Sequence, residues 1–199
     1  MCSSDLIRMV PPLPWKFDFE GLTDAPITWI GARYRHVIRK VDGSNMMVKV
    51  TTIPKGTKSR SWFGQSDLHD YTIQADVKAA IQDNKLPDMG VIGQGYTLEM
   101  QGLHQKLYLS SWISHDFRTY TSIEFPWQPN TWYTMKLRAE NEAGRAVVRG
   151  KVWPRGEPEP DKWTIEIVDA APNVAGSPGL FGNSTNAEVF IDNVTVTPN

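Results

Sequence analysis

Short runs of alternating apolar and polar residues, cut by proline and glycine, constrain this 199-residue chain more than any other feature. In Tyr71 to Val77, one face carries Tyr71, Ile73, Ala75 and Val77, and the other carries Thr72, Gln74 and Asp76. Tyr96 to Gln101 repeats the pattern, with Tyr96, Leu98 and Met100 opposing Thr97, Glu99 and Gln101. Trp132 to Arg138 repeats it again, with Tyr133, Met135 and Leu137 opposing Thr134, Lys136 and Arg138. A period of two is that of a half-buried strand. Glu140 to Arg145 reads as a hairpin turn from which Ala146 to Trp153 returns. Trp163 to Val168 and Glu188 to Val196 supply two more strands, and only Val77 to Asn84 has room for a helical turn. The expectation is an all-β domain, a two-sheet sandwich or a barrel. Ile73, Leu98, Met135, Leu137, Ile165, Phe190 and Val194 are among the residues expected to face its core.

Charge and cysteine content narrow the function. Lys plus Arg number 21 and Asp plus Glu 22, a net charge of −1. A chain so balanced has no electrostatic reason to hold a polyphosphate backbone, so nucleic acid is not an expected partner. No apolar run approaches the roughly 20 residues of a membrane span. One cysteine, Cys2, excludes a disulfide framework and a Cys-rich zinc site. Met1-Cys2-Ser3-Ser4-Asp5-Leu6 resembles the translation of a sequencing adapter, and Val10 to Pro14 is a stiff linker-like stretch. Residues 1–14 are therefore set apart as an artefactual or linker N-terminus, and 15–199 are read as one domain. On that reading the chain is a bacterial metagenomic fragment whose native form continues upstream.

Catalytic signatures are scarce. No Glu-x-Asp-x-x-Glu run is present, although a β-sandwich glucanase would place its two carboxylates on one strand face in that way. Glu140 and Glu142 fall in the expected hairpin turn, and Glu157 and Glu159 in a proline-rich loop. The four histidines have no metal-site spacing. Gly93-Gln94-Gly95 reads as a strand kink. The 8 tryptophans say more, because sugars stack their apolar faces on aromatic rings while their hydroxyls meet polar side chains. Trp132, Trp153 and Trp163 are read as core residues. Trp62, close to Arg60, and Trp112, after Ser110-Ser111, are candidates for a ligand. The full candidate set is Arg60, Trp62, Gln94, Tyr96, Glu99, Trp112 and Arg138. It assumes that the polar face of Thr97, Glu99 and Gln101 lies beside Lys136 and Arg138.

Four stretches carry a family resemblance: Phe17-Asp18-Phe19-Glu20-Gly21; Gly90 to Gln94 with Tyr96-Thr97-Leu98; Trp132-Tyr133 through Gly150-Lys151-Val152-Trp153-Pro154; and Gly176 to Gly182 running into Phe190 to Val194. Trp15 to Val196 resembles a concanavalin A-like lectin/glucanase domain of the laminin-G-like type. It is similar to the domain found behind the β-propeller of bacterial pyrroloquinoline-quinone-type repeat proteins. The resemblance implies a jelly-roll sandwich, a carbohydrate ligand, a periplasmic or extracellular location and an upstream propeller as partner. It leaves two functions open: a non-catalytic carbohydrate-binding or accessory module of a larger envelope protein, or a glycoside hydrolase-like enzyme acting through an acid such as Glu99. In such sandwiches the first and last strands tend to be neighbours. That brings Glu20 near Asp192, where a structural calcium ion is expected.

Overall fold

The computed structural model describes residues 11–50, 59–111, 118–183 and 187–199. These hold fourteen strands and no helix: β1 (Trp15–Phe17), β2 (His36–Val41), β3 (Ser44–Lys49), β4 (Ser59–Trp62), β5 (Tyr71–Ala79), β6 (Asp88–Gly93), β7 (Tyr96–Gln101), β8 (Lys106–Ser111), β9 (Tyr120–Glu124), β10 (Trp132–Glu142), β11 (Arg145–Pro154), β12 (Ile165–Asp169), β13 (Gly179–Asn183) and β14 (Val189–Pro198). A long sheet runs β12-β11-β10-β5-β14-β3-β2, with β1 also paired to β14, and a short sheet runs β4-β13-β6-β7-β8-β9. The expected all-β sandwich is observed, and it is a jelly roll. No helix among the described residues is long and apolar enough to cross a membrane.

Tight turns fix the registers of neighbouring strands. Asp42-Gly43, Gln94-Gly95 and Ala143-Gly144 each place two residues at positive φ between paired strands. That backbone twist matches the twist of the strands it joins. Gly93 to Gly95 is thus a hairpin turn, not a strand kink. Glu140 and Glu142 belong to β10 and not to the turn. The segment from Val77 to Asn84 forms no helical turn: Val77 to Ala79 end β5, and Gln82 and Lys85 bridge around Asp83 and Asn84.

Alternation sends Ile73, Ala75 and Val77 of β5, Leu98 and Met100 of β7, and Met135 and Leu137 of β10 between the sheets, where all are buried. Phe190 departs from its expected place. The β5–β14 register shifts between Asp192 and Thr195, and Asn193 adopts φ 48° there. This bulge inserts one residue, so Val189 and Ile191 face inward before it and Val194 and Val196 after it. Phe190 therefore lies on the outer face, with the Lys78 ammonium 4.8 Å from its ring centroid. Trp132, Trp153 and Trp163 are likewise outside the core between the sheets. They cover the outer face of the long sheet beside cations: Arg155 lies 4.2 Å from Trp132, Lys136 5.8 Å from Trp153 and Lys151 4.7 Å from Trp163. The aromatic mass of the interior instead gathers at the chain start, where Trp29 stacks on Phe63 at 4.1 Å and Phe17 meets both edge-on.

Two basic residues are buried opposite one another on β2 and β3, His36 and Lys49. Burial pushes His36 down from 6.5 to about 4, with Lys49 and Arg35 adding to the fall and the Ala32 carbonyl opposing it. Burial also pushes Lys49 down to about 8. The unfolded chain then binds a proton at His36 that the folded chain refuses. Stability from this site is complete above pH 6.5 and is lost as the pH falls toward 4. The loss is on the order of 3 kcal/mol. Urea titrations across that window should show it, and a His36→Asn variant should lack that part of the slope.

Candidate functional site

The outer face of the short sheet is organised by cross-strand pairing into rows. One row contains Trp62 (β4), Gly179 (β13), Ile92 (β6), Thr97 (β7), Ser110 (β8) and Tyr120 (β9). The adjacent row contains Arg60, Phe181, Gly90, Glu99, Tyr108 and Ser122 in the same strand order. On β6, β7, β8 and β13 these residues alternate with core residues, so the packing that buries Leu98 and Met100 also turns Thr97 and Glu99 outward.

The centre of this face is recessed. Glu99 is 8% exposed, Phe181 2% and Ile92 0%, whereas Tyr120 at the edge is 62% exposed. Trp62 and Tyr108 are half-buried. Tyr108 and Tyr120 stack at 5.7 Å, which makes a paired phenol platform on β8 and β9. At the opposite edge Trp62 lines a second recess with Gly95, Asn173, Ala175, Gly176 and Ser177, a cavity of about 340 Å³. The two edges are five strand spacings apart, about 24 Å.

Arg60 and Glu99 share a row with only Phe181 and Gly90 between them. The guanidinium carbon of Arg60 lies 5.4 Å from the Phe181 ring centroid. Gly90 presents no side chain in the space beyond. Burial lowers the Arg60 pKa, and the Glu99 charge acts against that fall, so the two groups are within electrostatic reach. Burial raises the Tyr108 hydroxyl, and Tyr120 and Glu99 push it the same way. Asp88, the nearest acid on β6, is one row away and already engaged. Its Oδ1 accepts the Gly102 N–H at 2.9 Å and its Oδ2 accepts from Asn183 at 3.1 Å. Glu99 is the one carboxylate in the two central rows among the described residues.

This face unites Arg60, Trp62 and Glu99 of the candidate set. Trp112 lies outside the described residues. The other candidates have different places. Gln94 is fully buried in the β6–β7 turn, where its amide donates to Asn141 Oδ1 and the Asn173 carbonyl and its Oε1 accepts the Asp70 N–H. Tyr96 points into the core, and its hydroxyl donates to Asp169 Oδ2 at 2.8 Å. Both tie strands to loops. Arg138 is on β10 of the long sheet, so neither it nor Lys136 neighbours Glu99; its guanidinium forks onto Glu140. Tyr108, Tyr120 and Phe181 were not among the candidates. The alternation of Tyr108 with Leu107 and Leu109 is a signal in the sequence that places its ring outward.

At the chain ends, β1 pairs with β14 as expected. Glu20 Oε1 accepts from the Ser44 hydroxyl and from the Asn45 N–H at 3.0 Å. Asp192 faces Asp76 across β5 and β14, and Arg155 lies 3.7 Å from Asp76 and 3.8 Å from Asp192. Burial pushes the Asp192 carboxyl up, and the Asp76 and Glu20 charges add to the rise against the Asn193 N–H and Arg155. No group of three or more His, Cys, Asp or Glu residues converges as a metal site among the described residues.

No family model matches the chain, and no curated protein sequence matches it. Solved structures share its fold. An endo-1,3-beta-glucanase from Streptomyces sioyaensis superposes with a TM-score of 0.58 at 11% identity, covering 96% of this chain and 99% of that one. The carbohydrate-binding module CBM66 from Bacillus subtilis gives 0.55 at 14% identity, covering 85% and 95%. Lectin II from Ulex europaeus gives 0.55 at 9% identity, covering 93% and 97%. The shared architecture is the two-sheet jelly roll.

The row through Glu99 depends on glycine at position 90. A Cβ there would sit 2.2 Å from the Leu98 carbonyl oxygen, so β6 and β7 would have to part. Gly90→Ala should cost about 1–3 kcal/mol in urea unfolding. It should also disturb the Tyr108–Tyr120 platform, which near-ultraviolet circular dichroism would register. An unchanged unfolding midpoint would mean that the strands do not approach so closely.

Proposed function

We propose that this chain is a non-catalytic carbohydrate-binding module and that its ligand lies across the outer face of the short sheet. The observation behind this reading is the composition of the two central rows: rings at both edges, Trp62 and Tyr108–Tyr120, around a recessed centre with one carboxylate. A sugar ring stacks on an indole or phenol while its hydroxyls meet groups such as Thr97, Ser110, Arg60 and Glu99. A ligand touching both edges must be extended, a polymer and not a monosaccharide. Glycoside hydrolysis by the usual routes needs two carboxyl groups facing one bond. Among the described residues of the two rows Glu99 is the one carboxylate, and Asp88 is held by Gly102 and Asn183. Attachment to a larger protein of the bacterial envelope, outside the cytoplasm and with a propeller upstream, is part of the same proposal.

Isothermal titration against plant and algal polysaccharides tests it. Trp62→Ala and Tyr120→Ala should each weaken binding by about fivefold, or roughly 1 kcal/mol. Failure of every polysaccharide to bind would end the reading. The hydrolase alternative predicts instead that reducing sugar accumulates on long incubation and that Glu99→Gln stops it.

A structural calcium ion at the chain ends belongs to the same proposal. Glu20 and Asp192 would hold it, with backbone carbonyls of Gly21 to Thr23 and the Asn193 amide completing the oxygen set. What supports it is the excess of negative charge felt at Asp192, where Asp76 and Glu20 add to the upward shift that burial causes. Calcium added after EDTA should raise the melting midpoint, because an ion that binds only the folded chain stabilises it. An unchanged midpoint would leave Arg155 as the counter-charge.

A further inference from the structure

The outer face of the long sheet carries a different chemistry. Pairing sets Thr197, Thr72, Arg138, Arg149 and Glu166 in one row, and Thr195, Gln74, Lys136 and Lys151 in the next. The segment after β11 folds back over these rows. Lys151 pins it by donating to the Pro160 carbonyl at 2.5 Å and to Glu159 at 3.0 Å. Glu159 in turn accepts from Lys136, and Trp163 covers the Lys151 ammonium. Between this segment and the sheet is a cleft of about 410 Å³ lined by Lys136, Arg138, Glu159, Trp163, Gln74 and Thr195, among others.

The groups lining this cleft hold unused hydrogen-bonding capacity. Arg138 commits Nε and Nη2 to Glu140, which leaves Nη1. Lys136 gives one of its three N–H bonds to Glu159. The ion pairs on these rows join four cations (Lys136, Arg138, Arg149 and Lys151) to three carboxylates (Glu140, Glu159 and Glu166). Of these groups Lys136 and Arg138 line the cleft with two positive charges and Glu159 with one negative charge, so their sum there is positive. Gln74, Thr195 and Thr197 add hydroxyl and amide groups, and Trp163 adds an aromatic ring. Two cations suit an anionic substituent, the hydroxyls and amide suit sugar hydroxyls, and the indole suits a sugar ring face.

We infer that this cleft is a second, separate site that binds an anionic sugar, a uronate or a sulfated residue of a polysaccharide. It is on the sheet opposite Glu99 and Trp62, so it does not depend on the proposal for the other face. A chain with both sites would grip an acidic polysaccharide, or two chains of a matrix, from its two sides.

The test is titration of the whole protein with oligogalacturonate, with a sulfated oligosaccharide and with a neutral cello-oligosaccharide, at low and high salt. At least one anionic ligand should bind, and added salt should weaken it because the cleft is open to solvent. Arg138→Gln should weaken it by about tenfold, as expected for loss of a charge-assisted hydrogen bond. Lys136→Gln should act in the same direction, while Trp62→Ala should leave this binding unchanged. Binding of only the uronate or only the sulfated ligand identifies the anion and upholds the site. Trp163→Ala could loosen the covering segment, so the arginine variant, whose melting midpoint is checked against the parent, decides. The inference is overturned if neither anionic ligand binds, if the neutral ligand binds as well as the anionic ones, or if Arg138→Gln leaves the affinity unchanged.

Discussion

The register of β7 is the constraint on which the rest depends. Its inward residues, Tyr96, Leu98 and Met100, are fully buried between the sheets, and its outward residues, Thr97 and Glu99, form the middle of the candidate face. A slip of one residue would exchange the two sets and bury a carboxylate in the core, an expensive error. Three local devices prevent it. The two-residue turn at Gln94-Gly95 sets the pairing with β6. Gly90 lets the two backbones approach without a side chain between them. The Tyr96 hydroxyl reaches Asp169, which Arg118 also holds, and so anchors the start of the strand to the end of β12. The Tyr96 hydroxyl is itself pushed up by burial, so at ordinary pH it remains a neutral donor to that carboxylate.

Gln94 shows how a conspicuous polar residue can serve the fold and not a ligand. Its main-chain N–H donates to the Tyr71 hydroxyl, its amide N–H groups reach Asn141 and Asn173, and its Oε1 accepts from Asp70. A buried amide must find such partners or lose free energy. Here its partners come from the long sheet and from the loops before β5 and β13, so this turn of the short sheet is tied to the long one. This knot closes the end of the sandwich at which the Trp62 recess opens, and two of that recess's lining residues, Gly95 and Asn173, are joined there by a hydrogen bond.

Much of the architecture was legible because alternation is a local signal. The inward residues of β5, β7 and β10 could be read directly from Tyr71 to Val77, Tyr96 to Gln101 and Trp132 to Arg138. Phe190 could not, because the bulge at Asn193 changes phase within an otherwise regular strand and no proline or glycine marks it. The site was legible only in part. Glu99, Arg60 and Trp62 could be chosen by residue type, but the face that unites them requires β4 to join β13 and β13 to join β6, pairings between segments far apart in the chain. The same non-local ordering puts Arg138 on the other sheet. Trp132, Trp153 and Trp163 look like core residues by type, yet each lies on an outer face with a cation over its ring, where the positive charge is attracted to the face of the indole.

The two outer faces differ because their charges are arranged differently. On the long sheet Arg138, Glu140, Arg149 and Glu166 alternate in sign, and Lys136, Glu159 and Lys151 do the same. Half-exposed pairs of this kind contribute little to stability individually. Their effect is positional: Glu159 between two lysines holds a proline-rich segment against the sheet and thereby creates a wall. Both lysines keep the Glu159 carboxyl below its usual range against the opposing effect of burial. The wall therefore persists down to more acidic pH than a free glutamate would allow. On the short sheet the charges are few, and rings surround them. Arg60 crosses Phe181 toward Glu99, so its charge is partly spent on a protein carboxylate and the face offers rings and hydroxyls more than net charge. A sandwich has two outer surfaces: on the short sheet rings surround Arg60 and Glu99, and on the long sheet indoles lie beside a ladder of ion pairs.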